Sequence, residues 1–175
     1  MALPNKCRDL SLQPLNRRAL TVQRVPSSYP CPVEDSNTNC TLFAVTDASW
    51  EALASYLGMS ISRFGQSPVI PTLMLYQVIP SIALNSSQLL DGVSYSTALQ
   101  NEYLTVLKSP TDPSGTMYVK PTGAPKGLLI ERDISAALGK LHIVRGPLVP
   151  ASLVPLLTGG TPSELPIYGL GSPQH

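Results

Sequence analysis

The chain has 175 residues, 43% of them apolar, enough for one domain with a sizeable core. Charged residues make up 13%, about half the ordinary share of ~25%, and 12 Lys and Arg against 11 Asp and Glu leave a net charge of +1. This balance excludes an electrostatic attraction for nucleic acid or an acidic membrane; Ser, Thr, Asn, Gln, Pro and Gly are left to cover the surface, a pattern that suits an extracellular or lumenal protein.

Residues 1–35 are expected to form an N-terminal arm. It holds a helical candidate over Leu10–Leu20, interrupted by Pro14 and followed by Pro26 and Pro30. The first thirty residues lack the apolar h-region of a signal peptide, and no run approaches the ~18 apolar residues of a membrane span. Two glycosylation triplets, at Asn39 and Asn85, favour an exported protein whose targeting segment has been removed. Cys31 and Cys40 flank a polar loop that a disulfide could close, with a loop-entropy gain of roughly 2–3 kcal/mol. Three free thiols are the alternative. With that bridge formed, Cys7 is left over, free or joined to another chain.

The stretch Thr41–Trp50 organises the rest. Leu42–Val45 reads as a buried strand, Thr46 and Asp47 as side-chain oxygens that accept from the N–H groups of a helix's first turn, and Glu51 as a carboxylate near its positive end. Trp50, Leu53, Ala54 and Leu57 then recur at helical spacing, and Gly58 stops the helix. A loop over Gly65–Pro68 leads to a short helix over Thr72–Gln77 and an extended exit, Val78–Pro80. Ser86–Gly92 reads as one helical turn. From Val93 the period changes: Val93–Leu99 and Tyr103–Leu107 make a hairpin through Gln100-Asn101, and Met117–Lys120 and Gly127–Ile130 are further strands. Ile134–Leu138 is expected to be a brief helix ended by Gly139, and Leu141–Val144 a central strand. A proline- and glycine-rich tail, extended or partly disordered, is expected over 151–175, with the domain proper over 36–150. Short strands interleaved with short helices indicate an α+β domain.

Three ordered motifs within about residues 41–150 carry a resemblance. Thr41-Leu42-Phe43-Ala44-Val45-Thr46-Asp47-Ala48-Ser49-Trp50 resembles the first signature of fasciclin (FAS1) domains, T-x-F-A-P-T-D-x-A-F. Leu73–Pro80 is similar to the family's L-L-x-Y-H-V-V-P segment. Glu131–Ile134 with Gly139–Val144 and Leu148–Pro150 resembles the closing D-I…N-G-x-I-H-x-I-D-x-V-L-x-P signature. Val45, Gln77 and Arg145 depart from the family's proline, histidine and aspartate. The resemblance implies a wedge-like β-sandwich with a layer of short helices. It implies a role without enzyme activity, in cell adhesion, matrix organisation or protein–protein contact outside the cell or in a periplasm. In some algal members it implies binding of carotenoids such as astaxanthin. A subunit of a larger photosynthetic assembly in a thylakoid lumen, with both arms wrapping partners, is a third reading.

Candidate site residues follow. Asp133 and Ile134 match the Asp-Ile pair of adhesion motifs in animal members, and Tyr76-Gln77 occupies the family's Tyr-His position. Against these stand plainer readings: Ile134 as core, Asp133 as a cap, and Tyr76 as a core aromatic with its hydroxyl satisfied inside. An apolar ligand would find its belt in Trp50, Leu53, Leu57, Met59, Ile61, Phe64, Ile70 and Met74, the alternative being ordinary core. His142 reads as a structural histidine, since no nucleophile motif, metal-ligand spacing or phosphate loop accompanies it. No catalytic residue, metal or cofactor other than a carotenoid is implied.

Overall fold

The computed structural model describes residues 39–112, 115–136 and 139–158. The N-terminal arm, Cys7, Cys31 and the tail from residue 159 lie outside the described residues, and with them the Cys31–Cys40 bridge.

Strand β1 (Cys40–Val45) opens the domain. Its side chains alternate: Thr41, Phe43 and Val45 turn inward and are buried, while Leu42 faces outward. Thr46 is extended and helix α1 (Asp47–Tyr56) starts directly after it. The expected side-chain cap does not form. The Thr46 hydroxyl instead shares a hydrogen bond with Ser49 Oγ (2.8 Å), which accepts one from the Gly146 N–H (2.9 Å) and so ties α1 to the exit of the strand that neighbours β1. Leu53 and Ala54 are buried on the predicted face, and the chain leaves the helix through Gly58 at φ +66°.

Helix α2 (Ile61–Gly65) has no counterpart in the sequence reading; Ser60 Oγ accepts from Arg63 N–H to cap it. Helix α3 (Ile70–Tyr76) begins slightly earlier than expected, with Pro71 in its first turn. It feeds β2 (Val78–Pro80), which pairs antiparallel with β1. After a loop over 81–93 come β3 (Ser94–Ser96), β4 (Tyr103–Lys108), β5 (Met117–Lys120), β6 (Gly127–Ala136) and β7 (Gly139–Arg145).

These strands form one mixed sheet in the order β2-β1-β7-β6-β5-β4-β3. Only β1 and β7 run parallel, placing Phe43 opposite His142 and Val45 opposite Val144. The sheet curls until its ends approach, with Ala98 N–H donating to Val78 C=O (2.7 Å). The result is a nearly closed wedge. Phe43, Val45, Tyr76, Leu84, Leu89, Leu104, Val106, Val119, Val144 and Leu148 fill its interior. Leu53, Ala54, Phe64 and Leu73 of the helices form a second cluster with Val149, Leu153 and Val154, and Trp50 packs against both.

Two local expectations are corrected. Ile134–Ala136 is not helical: it continues β6, with Ile134 opposite Leu141 and Ser135 opposite Lys140. The ladder offered by the central strand outweighs the weak helical preference of so short a run. Ala151–Leu153 is a 3-10 turn and Val154–Thr158 a helix, α4, so the packed part of the chain extends past residue 150. Leu153 and Val154 are buried in the helical cluster, an apolar pair that a count of prolines overlooks.

Candidate functional site

Polar side chains that strand alternation turns inward build the most structured part of the molecule. His142 shares its inward parity with Val144 and is 0% exposed, its ring stacked on Phe43 with centroids 5.5 Å apart. Its Nδ1 accepts from the backbone N–H of Asp133 (3.3 Å), so its proton sits on Nε2, which donates to Leu84 C=O (2.9 Å). Burial holds the imidazole below the ordinary histidine value, against the Leu84 carbonyl and the Asp133 carboxylate, which favour the cation.

Asp133 lies on the bulged part of β6 at φ +65°, a conformation aspartate tolerates better than most side chains. Its carboxylate is exposed yet engaged: Oδ1 accepts from Ser86 N–H and Oδ2 from Ser86 Oγ–H, both at 2.6 Å. Desolvation opposes its ionisation, but these two bonds and the nearby Arg132 outweigh it and hold the carboxyl below the usual carboxylate range. Beside this clamp, Thr41 Oγ1 donates to Ile82 C=O (2.8 Å) and accepts from Leu84 N–H (2.9 Å). Asp133, His142 and Thr41 together pin the 81–89 segment to the sheet. Ile134, the other half of the Asp-Ile pair, is half-buried.

Tyr76 belongs to a second knot. It is 0% exposed; its hydroxyl donates to Tyr103 C=O (2.8 Å) and accepts from Thr122 N–H (2.9 Å). Thr122 Oγ–H in turn donates to Glu102 Oε2 (2.7 Å), while Glu102 Oε1 accepts from Ser152 N–H (3.1 Å) and Thr122 Oγ1 from Ala151 N–H (2.9 Å). Burial pushes the tyrosine hydroxyl above the ordinary phenol value. For Glu102 burial acts against ionisation, but the bonds from Thr122 and Ser152 prevail and lower it. The knot fastens the Ala151 turn to the sheet. Thr122, Gly123, Ala151, Val154 and Pro155 line a shallow depression there, and a Cβ on Gly123 would come within 2.5 Å of Val154. Gln77, 3% exposed, donates to Leu73 C=O (3.0 Å) and accepts from Val45 N–H (3.3 Å), joining α3 to β1.

The apolar belt separates into depths. Leu53 and Phe64 are buried; Trp50, Leu57, Met59, Ile61 and Ile70 are half-buried and packed against the helical cluster; Met74 is half-buried. Trp50 and Phe64 touch with centroids 5.9 Å apart. Of the glycosylation triplets, Asn39 is exposed at the entry to β1 and Asn85 is half-buried in the pinned segment.

Sequence reasoning missed Thr41, Ser86, Glu102 and Thr122. A signal existed for two of them: Thr41 shares the parity of Phe43 and Val45, and Glu102 that of Leu104 and Val106, so both are polar groups at inward positions. Nothing local marks Ser86 or Thr122.

No protein-family model matches the chain, and no curated protein does. Among solved structures it is similar to a FAS1 domain pair from the insect cell adhesion molecule fasciclin I, at 16% identity and a TM-score of 0.50. The likeness covers 63% of this chain and 36% of that one, so it spans about a third of the solved chain. At this identity the likeness is one of fold, and the fold is FAS1-like. No helix among the described residues is long and apolar enough to cross a membrane.

Proposed function

We propose that this chain is a non-enzymatic FAS1-type module that works by protein–protein contact, in cell adhesion or matrix organisation, in an exported compartment. The observation that carries the reading is the fold, whose solved counterpart comes from a cell adhesion molecule. The chemistry supports it: His142, Tyr76, Gln77 and Glu102 all bond to the protein itself rather than facing a cleft where substrate could meet a base or nucleophile. Tyr76 and Gln77 act on a contact surface from within, by fixing α3. The surface proposed for a partner is the rim joined by the Asp133–Ser86 bonds; Ile82, four residues before Ser86, and Ile130, three before Asp133, are each 45% exposed.

Cell attachment to surfaces coated with the full chain tests the reading, alongside Ile130→Glu and Asp133→Ala. Attachment well above an albumin-coated control, reduced at least threefold by Ile130→Glu with an unchanged melting temperature, is the expected result. Attachment no better than albumin contradicts it. A loss for Asp133→Ala that follows its loss of melting temperature assigns that residue to positioning alone.

A further inference from the structure

The His142 clamp places a titratable ring where three elements meet: β6 through Asp133, β7 through His142 itself, and the 81–89 segment through Leu84. Of its two nitrogens, Nε2 keeps its proton whatever the pH of ordinary solution, and its bond to Leu84 C=O survives protonation. Nδ1 is different. It accepts from Asp133 N–H, so a second proton there would set N–H against N–H at 3.3 Å in a site closed to water. From this juxtaposition we infer that His142 is a proton-triggered pin, whose protonation at Nδ1 frees the 81–89 segment from the sheet.

The sequence of events follows from the bonds. Solvent supplies the proton, and the Asp133 N–H···Nδ1 bond is the one lost. For that N–H to turn away, the Asp133 backbone must leave its φ of +65°, which also withdraws the carboxylate from Ser86 N and Oγ. The segment then keeps the Thr41 hydroxyl, the Leu84–Nε2 contact and a long bond from the Tyr95 hydroxyl to Gln88 C=O (3.5 Å), and Leu84 and Leu89, 6% and 0% exposed, lose part of their cover. The charged groups around the ring are few. Asp133 on β6 favours the cation, whereas Arg132 on β6 and Lys140 on β7 oppose it. β1 contributes Phe43 and no charge, and Ser81–Leu89 contains none. The sign is therefore set by burial and the lost bond: the closed state holds the neutral ring, and acid favours the open one.

Hydrogen exchange of the full chain between pH 7.5 and 5.5, corrected for the intrinsic rate, tests this. Amides of 81–89 and 131–135 are expected to open about tenfold more per pH unit below ~6.5, the response to uptake of one proton. Amides of β4 and β5 should stay unchanged, and His142→Gln, which cannot titrate, should abolish the response. Asp133→Asn keeps both kinds of contact to Ser86 but removes the charge that favours the cation in the closed state, so the rise should begin near the same pH and continue to a lower pH before it levels off. Equal acceleration in His142→Gln, acceleration spread evenly over the sheet, or a rise in Asp133→Asn that levels off no lower than in the wild type would overturn the inference. If His142→Gln does not fold, the wild-type pattern and the pH at which the Asp133→Asn response levels off decide it.

Discussion

The two polar knots are built alike and respond differently. Each joins an inward-facing strand residue to a segment distant in sequence, Glu102 to Ser152 and His142 to Leu84, and each leaves its buried side-chain atoms bonded. The Tyr76–Thr122–Glu102 knot uses a phenol pushed higher and a carboxyl pushed lower, so both groups keep one charge state across the middle of the pH range. The His142–Asp133–Ser86 clamp instead contains an imidazole, whose ordinary titration lies near ~6.5. Rigidity and responsiveness thus differ by one residue type at an inward position.

The comparison can be broken most sharply at Tyr76. Replacing Tyr76 with Ala should cost about 3–5 kcal/mol in urea unfolding, since it empties a site in the main core and dissolves the knot. Tyr76→Phe keeps the ring and should cost about 1–2 kcal/mol, equally at pH 6 and pH 8, by leaving Thr122 N–H and Tyr103 C=O without that partner. A loss that grows on acidification would mean that the two knots are coupled.

The pH dependence of stability separates them next. His142 has a lowered folded value, so its contribution is full above the unfolded value of ~6.5 and falls as pH drops from there towards the folded one. Asp133 and Glu102, also lowered, contribute above ~4 and lose their share only below it. Tyr76 is raised, so its contribution holds below ~10 and fades as pH climbs through its folded value. Urea midpoints should therefore be flat between pH 9 and 7 and fall in two steps on acidification below pH 7, the first absent in His142→Gln.

Asp133→Ala should cost about 1–2 kcal/mol, from the Ser86 bonds and from an alanine at positive φ, discounted for the exposure of the carboxylate. Gly58→Ala is the smallest change, about 1 kcal/mol: no atom crowds the new Cβ, so only the left-handed backbone counts, and the acid response should be untouched.

How much of this was legible depends on distance along the chain. β1 and α1 could be read because alternation and helical spacing are local, and so could the centrality of β7, apolar at most positions. The far half of β6 could not: its bulges break alternation, and its strand character comes from pairing with β7. In the site, Asp133, Tyr76 and His142 stood out as residues, but their partners lie far off, Ser86 at a separation of 47, Thr122 at 46 and Leu84 at 58. Parity marks which polar groups turn inward; only the closed sheet says what they meet.

The state of His142 carries the contrast between the knots, and its ring nitrogens report it directly. Long-range 15N–1H correlation of the full chain through pH 8 to 5 should show the Nε2–H tautomer at neutral pH, and a midpoint below ~6.5 that moves lower still in Asp133→Asn. A ring that titrates at the free value, with both tautomers exchanging in solvent, would contradict the account.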